Sequence, residues 1–159
     1  MRSVDVCLTH QDFENYDHKG KIVVVIDVLR ATSTINTLLF LGADHVRPIG
    51  SLEECRSLKD QDYIIMAERL GKKVDGFDYG NSPTKLSEKD IREKKVAIAT
   101  SNGSKAIIKS EGSEETILCS FLNINSVINF IDTYESDVIL LCSGWLGKTN
   151  LEDTLCAGG

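Results

Sequence analysis

Hydrophobic positions along the chain concentrate at Ile22-Val-Val-Val-Ile, five unbroken apolar residues that are all β-branched. A strand buried on both faces reads this way. The run stops at Asp27, and Arg30 and Thr32-Ser33-Thr34 follow, the last three being candidate N-caps for a helix over Ile35 to Leu41. Ser3 to Thr9 alternates well enough for a first strand, with a polar connection from His10 to Lys21. His45 to Ile49, Tyr63 to Ala67, Lys95 to Thr100, Thr116 to Cys119 and Asp137 to Cys142 supply five more predicted strands. Between them the pattern predicts a helix opened by Ser51 with Glu54 as a capping box. Further helices are predicted from Pro83 or Thr84 to about Lys94, over Lys105 to Ser110, and over Asn123 to Tyr134 with an apolar face at Ile124, Val127, Ile128 and Ile131. Lys72 to Pro83 is the least regular stretch, and a last helix begins at Leu151 with Asn150 as its candidate N-cap.

Strands that alternate with helices throughout predict a three-layer α/β/α fold with a largely parallel sheet. No fixed-period repeat or low-complexity linker divides residues 1–159, so a single α/β domain is expected. A net charge of −6, with no Lys/Arg cluster or aromatic platform, argues against a nucleic-acid partner. No apolar run has the length to span a bilayer, and Met-Arg-Ser-Val-Asp is not the start of a signal peptide. The five cysteines form no Cys-x-x-Cys motif, and Cys7, Cys119 and Cys142 fall in apolar runs. A cytoplasmic protein with reduced thiols is expected, touching neither membrane nor nucleic acid. His10, His18 and His45 read as surface or loop residues.

The polar residues gather in the turns after successive strands. These carry Asp27/Arg30/Thr32, Glu68/Arg69, Ser101/Asn102/Ser104, Ser120/Asn123, and Lys148/Thr149 with Glu152/Asp153. In a parallel sheet such turns leave by one edge, where helix N-termini also point free N–H groups at anions. Carboxylates, cations and helix ends around one crevice suit Mg2+ working with the phosphate of a small substrate. Three phosphate motifs fail on spacing. Asp27 is followed by Val28 and Leu29 rather than by a second acid in Asp-x-Asp. A P-loop would need glycine where Cys142 stands, and a cysteine phosphatase would need arginine where Lys148 stands.

Val25-Ile-Asp-Val-Leu-Arg-Ala-Thr-Ser-Thr, Glu68-Arg-Leu-Gly, Gly76-Phe-Asp-Tyr-Gly-Asn-Ser-Pro, Thr100-Ser-Asn-Gly-Ser-Lys-Ala, Ser120-Phe-Leu-Asn and Leu151-Glu-Asp resemble, in order, segments of the 2-phosphosulfolactate phosphatase family. Ser101 stands where the family usually has threonine. The resemblance implies an α/β fold and magnesium-dependent hydrolysis of 2-phosphosulfolactate to sulfolactate and phosphate, on a route to coenzyme M. It also implies that this chain is the N-terminal portion of a longer phosphatase. Carried over position by position, it points to Asp27, Arg30, Glu68, Asp78, Asn81, Asn102, Gly103, Glu152 and Asp153. The expected roles are Asp27 and Arg30 as catalytic residues, and Asp27, Glu68, Asp78, Glu152 and Asp153 as metal ligands. Thr32, Asn81, Asn102, Gly103 and Ser104 are the expected substrate contacts. Attack by Asp27 and attack by water beside the metal both stay open, with the missing second aspartate favouring water. The competing reading is a non-catalytic anion- or nucleotide-binding domain, and a homodimer is the assembly to test for.

Overall fold

In the computed structural model, which describes residues 2–159, the buried run Ile22–Ile26 forms strand β2, and all five side chains are buried. It lies inside a four-stranded parallel sheet in the order β1 (Val4–Cys7), β8 (Val138–Cys142), β2, β7 (Glu115–Cys119). A second four-stranded sheet runs β3 (His45–Ile49), β6 (Lys95–Ala99), β4 (Tyr63–Arg69), β5 (Lys72–Lys73). Only the β4–β5 hairpin in it is antiparallel. The strands thus divide between two sheets, and the α/β class with helices on both strand faces is as the alternation predicts.

Period-two burial explains the layers. Ile22, Val24 and Ile26 meet α5 (Ile124–Ile131) and α6 (Leu151–Gly158), while Val23 and Val25 meet α4 (Gly103–Lys109) and Phe13 of the first connection. In the second sheet Val96 and Ile98 pack on Ile35 and Leu38 of α1 (Ala31–Phe40), and Ala97 and Ala99 pack on Cys55 of α2 (Leu52–Ser57). Ser51 caps α2 as expected, its Oγ accepting from the Glu54 N–H at 3.1 Å.

Two helix expectations need correction. Helix α1 begins at Ala31, so Thr32, Ser33 and Thr34 lie inside its first turn and are not N-caps. Their place follows from the hydroxyls: Thr32 donates to the Asp27 carbonyl at 2.8 Å and Ser33 to the Val28 carbonyl at 2.7 Å. The helix expected from Pro83 to Lys94 is only a 3₁₀ turn at Pro83–Lys85 and one helical turn, α3 (Glu88–Ile91). Leu86 interrupts it in extended conformation, with ψ at 144°.

Register sets the site. Ile26 pairs with Cys142 and Cys119, and Ala99 with Ala67 and Ile49, so within each sheet the parallel strands end level. Helix α1 touches strands of both sheets, as does α4.

Candidate active site

Asp27 leaves the end of β2 and meets two helix N-termini at once. Its Oδ1 accepts from the Ala31 N–H of α1 at 2.9 Å, and the Gly103 N–H of α4 also donates to its carboxylate. A Cβ on Gly103 would stand 2.4 Å from the Ala31 Cβ and 2.6 Å from Asp27 Oδ2. Glycine is therefore required there by close approach. The expected role of Gly103 changes accordingly, because its N–H is spent on Asp27 and is not free for substrate.

Burial pushes the Asp27 carboxyl up to about 7, with the Ala31 N–H opposing and the nearby Asp153 and Glu68 adding to the rise. Arg30, from the same turn, holds Glu68 Oε2 at 2.6 Å, and Glu68 Oε1 accepts from the Gly71 N–H at 2.8 Å. The Leu29–Arg30 peptide is cis. These residues line a cavity of about 90 Å³ together with Asn81, Thr100, Ser101, Asn102, Asn150 and Glu152. Leu29, Leu70, Trp145 and Leu146 form its apolar rim. Of the expected site residues, the structure brings Asp27, Arg30, Glu68, Asn81, Asn102 and Glu152 to one crevice.

Others go elsewhere, for reasons that are local. Asp153 is fully buried, its Oδ1 accepting from the Val28 N–H at 2.8 Å and its Oδ2 from the Gly144 N–H at 3.3 Å. It fastens α6 to the loops after β2 and β8, and burial raises its carboxyl above the ordinary range. Asp78 accepts from the Ile65 N–H at 3.0 Å and pairs with Lys59 at 2.9 Å, tying a loop to β4. Thr32 is buried against the Asp27 backbone, and the Ser104 hydroxyl is buried between the Thr100 N–H at 3.1 Å and the Ile98 carbonyl at 3.2 Å. Neither hydroxyl reaches the crevice. Among the described residues no three His, Cys, Asp or Glu side chains form a group that could hold a metal ion. The five-carboxylate set of the sequence reading is therefore not assembled, since backbone N–H groups and cations claim Glu68, Asp78 and Asp153 first.

The other polar turns also diverge. Arg69 folds back on the Glu68 carbonyl at 2.7 Å, and Asn123 and Ser120 bond Asn36 on α1 beside a separate cavity of about 400 Å³. Lys148 closes a tight hairpin with Trp145 and does not line the crevice. His10 lies in a loop as expected but is buried there, its Nδ1 2.7 Å from the Ser143 carbonyl. Cys142 is buried in β8, and burial pushes its thiol up to about 12, which removes it as a nucleophile. Sequence reasoning missed Asn150 as a lining residue, treating it as a cap alone. Its side-chain Oδ1 is buried without a partner, as is that of Asn81.

A family model described as 2-phosphosulpholactate phosphatase matches residues 7–159. The chain belongs to that family. It is 39% identical over 154 residues to a protein of Caldanaerobacter subterraneus subsp. tengcongensis, a match covering 94% of this chain and 64% of the relative. A Thermotoga maritima protein is 43% identical over 138 residues, covering 87% of this chain and 60% of the relative. One from Clostridium perfringens is 35% identical over 161 residues, covering 98% and 65%. All three relatives bear the name "Probable 2-phosphosulfolactate phosphatase". The chain thus spans a little under two-thirds of the length of these curated relatives. No helix among the described residues is long and apolar enough to cross a membrane.

Proposed function

We propose that the crevice hydrolyses a small anionic phosphomonoester, 2-phosphosulfolactate to sulfolactate and phosphate, with Mg2+ as cofactor. The observation that carries this reading is the half-buried Asp27 carboxylate beside Arg30, at the end of strand β2 of a chain in this family. The donors present fit a hard cation with few protein ligands, because magnesium keeps several waters and shares substrate phosphate oxygens. Asp27 and Glu152 line the crevice with carboxylates, and Asn150 adds an amide oxygen that has no hydrogen-bond partner. These three residues would hold the ion. When bound, it supplies Lewis-acid screening of the phosphoryl oxygens and of the carboxylates around Asp27.

The chain's own residues do the rest. Arg30 presents a planar fork to the phosphoryl oxygens, and its pairing with Glu68 fixes the direction of that fork. The N–H groups of Ala31 and Gly103 keep the Asp27 carboxylate in one orientation. Leu29, Leu70 and Trp145 stand largely exposed at the rim and offer apolar contact to the substrate. Hydrolysis exchanges the ester P–O bond for a P–O bond from water, and the alcohol leaves with a proton.

The test is phosphate release from a panel of phosphorylated hydroxy acids that includes 2-phosphosulfolactate, with magnesium and then with chelator. Magnesium-dependent release is expected. Binding of the same esters without turnover would instead favour the non-catalytic anion-binding reading.

A further inference from the structure

Two grooves open from the crevice across the Arg30–Glu68 pair, and their chemistry differs. One, of about 350 Å³, is lined by Leu29, Leu70, Gly71 and Trp145. The other, of about 290 Å³, runs beneath the loop after β5, with Lys73, Lys85, Tyr79 and Ser82 along it. Its two carboxylates are already engaged, Glu68 by Arg30 at 2.6 Å and Asp78 by Lys59 at 2.9 Å. Among the described residues Lys73 and Lys85 form no ion pair within 4.0 Å. Lys73 is also held in place, since its Nζ donates to the Phe77 carbonyl at 2.9 Å. Asn81 lines both the crevice and this groove, is 4% exposed, and carries an amide oxygen with no partner. A buried polar group left open where two spaces meet marks a place that a ligand completes.

We infer that the Lys73/Lys85 groove is the leaving-group subsite, and that it reads a second acidic group, carboxylate or sulfonate, on the phosphorylated substrate. This rests on the phosphatase reading of the crevice. A cavity of about 90 Å³ takes a phosphoryl group and little more, so the remainder of any substrate lies in one of the two grooves. On the Leu70/Trp145 side an acidic group finds no cation besides Arg30, which the phosphoryl group already engages and Glu68 already pairs. On the lysine side it meets two further ammonium groups that form no ion pair within 4.0 Å, although Lys73 also acts on the Asp78 carboxylate that Lys59 holds at 2.9 Å. Specificity for an acidic leaving group then comes from Lys73 and Lys85, while Arg30 and Asp27 serve any phosphomonoester.

The probes are phosphonoacetate and methylphosphonate, which share a phosphonate but differ in the carboxylate, and whose C–P bond survives ester hydrolysis. Binding of each is measured by calorimetry with magnesium present, in the wild type, in a Lys73→Gln/Lys85→Gln double variant and in Trp145→Ala. The wild type is expected to bind phosphonoacetate about tenfold more tightly than methylphosphonate. In the double lysine variant the ratio should fall below about threefold, with methylphosphonate affinity unchanged and the gap growing smaller as salt is raised. Both lysines are exposed, so the variant should keep the wild-type circular dichroism spectrum. An undiminished ratio in the double variant, no preference in the wild type, or loss of the preference in Trp145→Ala alone would overturn the subsite. Failure of methylphosphonate to bind at all would overturn the phosphoryl crevice itself, a different result from a missing preference.

Discussion

A half-buried carboxylate such as Asp27, with Asp153 and Glu68 close by, is an unstable place for negative charge unless a counter-charge arrives. Two backbone N–H groups hold its shape but do not cancel its charge. Asp27→Asn keeps the shape and removes that charge, so phosphate release should fall by about 10²–10³-fold or more while the fold persists. Retained turnover in the folded variant would take Asp27 out of the mechanism. Gly103→Ala probes the opposite term, space. The new methyl would press on Ala31 and on Asp27 Oδ2, and either the start of α4 or Asp27 must move. A loss of about 1–3 kcal/mol in urea unfolding is expected, with a matching loss of activity. A variant as stable as wild type would show that the two helix ends need not approach so closely.

Helix α6 carries Glu152 to the crevice, yet it has eight residues and ends in glycine. Helices this short are held by tertiary contacts rather than by propensity. The fastening is Asp153, which bonds the Val28 and Gly144 N–H groups, with Cys156 packed into the core beside Cys119. Asp153→Ala leaves both N–H groups buried and unpaired. We expect a loss of about 1–3 kcal/mol, and hydrogen exchange should accelerate first in α6 and in the loop after β8. Uniform acceleration over both sheets would contradict a local fastening. The same elements show what sequence pattern can carry. β2 was legible because five β-branched residues admit few alternatives, and the amphipathic face of α5 gave that helix. The start of α1 was not, because Thr32 and Ser33 turn their hydroxyls back onto the Asp27 and Val28 carbonyls rather than forward onto N–H groups. Clustering of polar turns was legible for Asp27, Arg30, Glu68, Asn102 and Glu152. Which carboxylates stay free was not, since the claims of Ile65, Val28 and Gly144 N–H groups on Asp78 and Asp153 exist only after folding.

Charge at Asp27 also couples the crevice to the stability of the whole molecule. Its carboxyl sits near 7 in the folded chain against an ordinary 3.8, so between those values the folded state binds more protons than the unfolded state. Its contribution to stability is complete below about pH 4 and is lost as pH rises through about 7. In chelator, unfolding free energy should therefore fall across that window, on the order of 1–4 kcal/mol from this group alone. Asp27→Asn should flatten that slope. Magnesium acts in the reverse sense, because a cation competes with the proton for the same carboxylate. Its stabilisation, about 2.7 kcal/mol at a hundredfold excess over Kd, should be small at pH 5.5 and full at pH 8. For a domain of this size that corresponds to a Tm rise of several degrees, or about 2–4 °C per kcal/mol. Thermal melts of wild type and Asp27→Asn, with magnesium or chelator at both pH values, separate the cases. A magnesium shift that is equal at the two pH values, or that survives in Asp27→Asn, would mean the ion binds without Asp27.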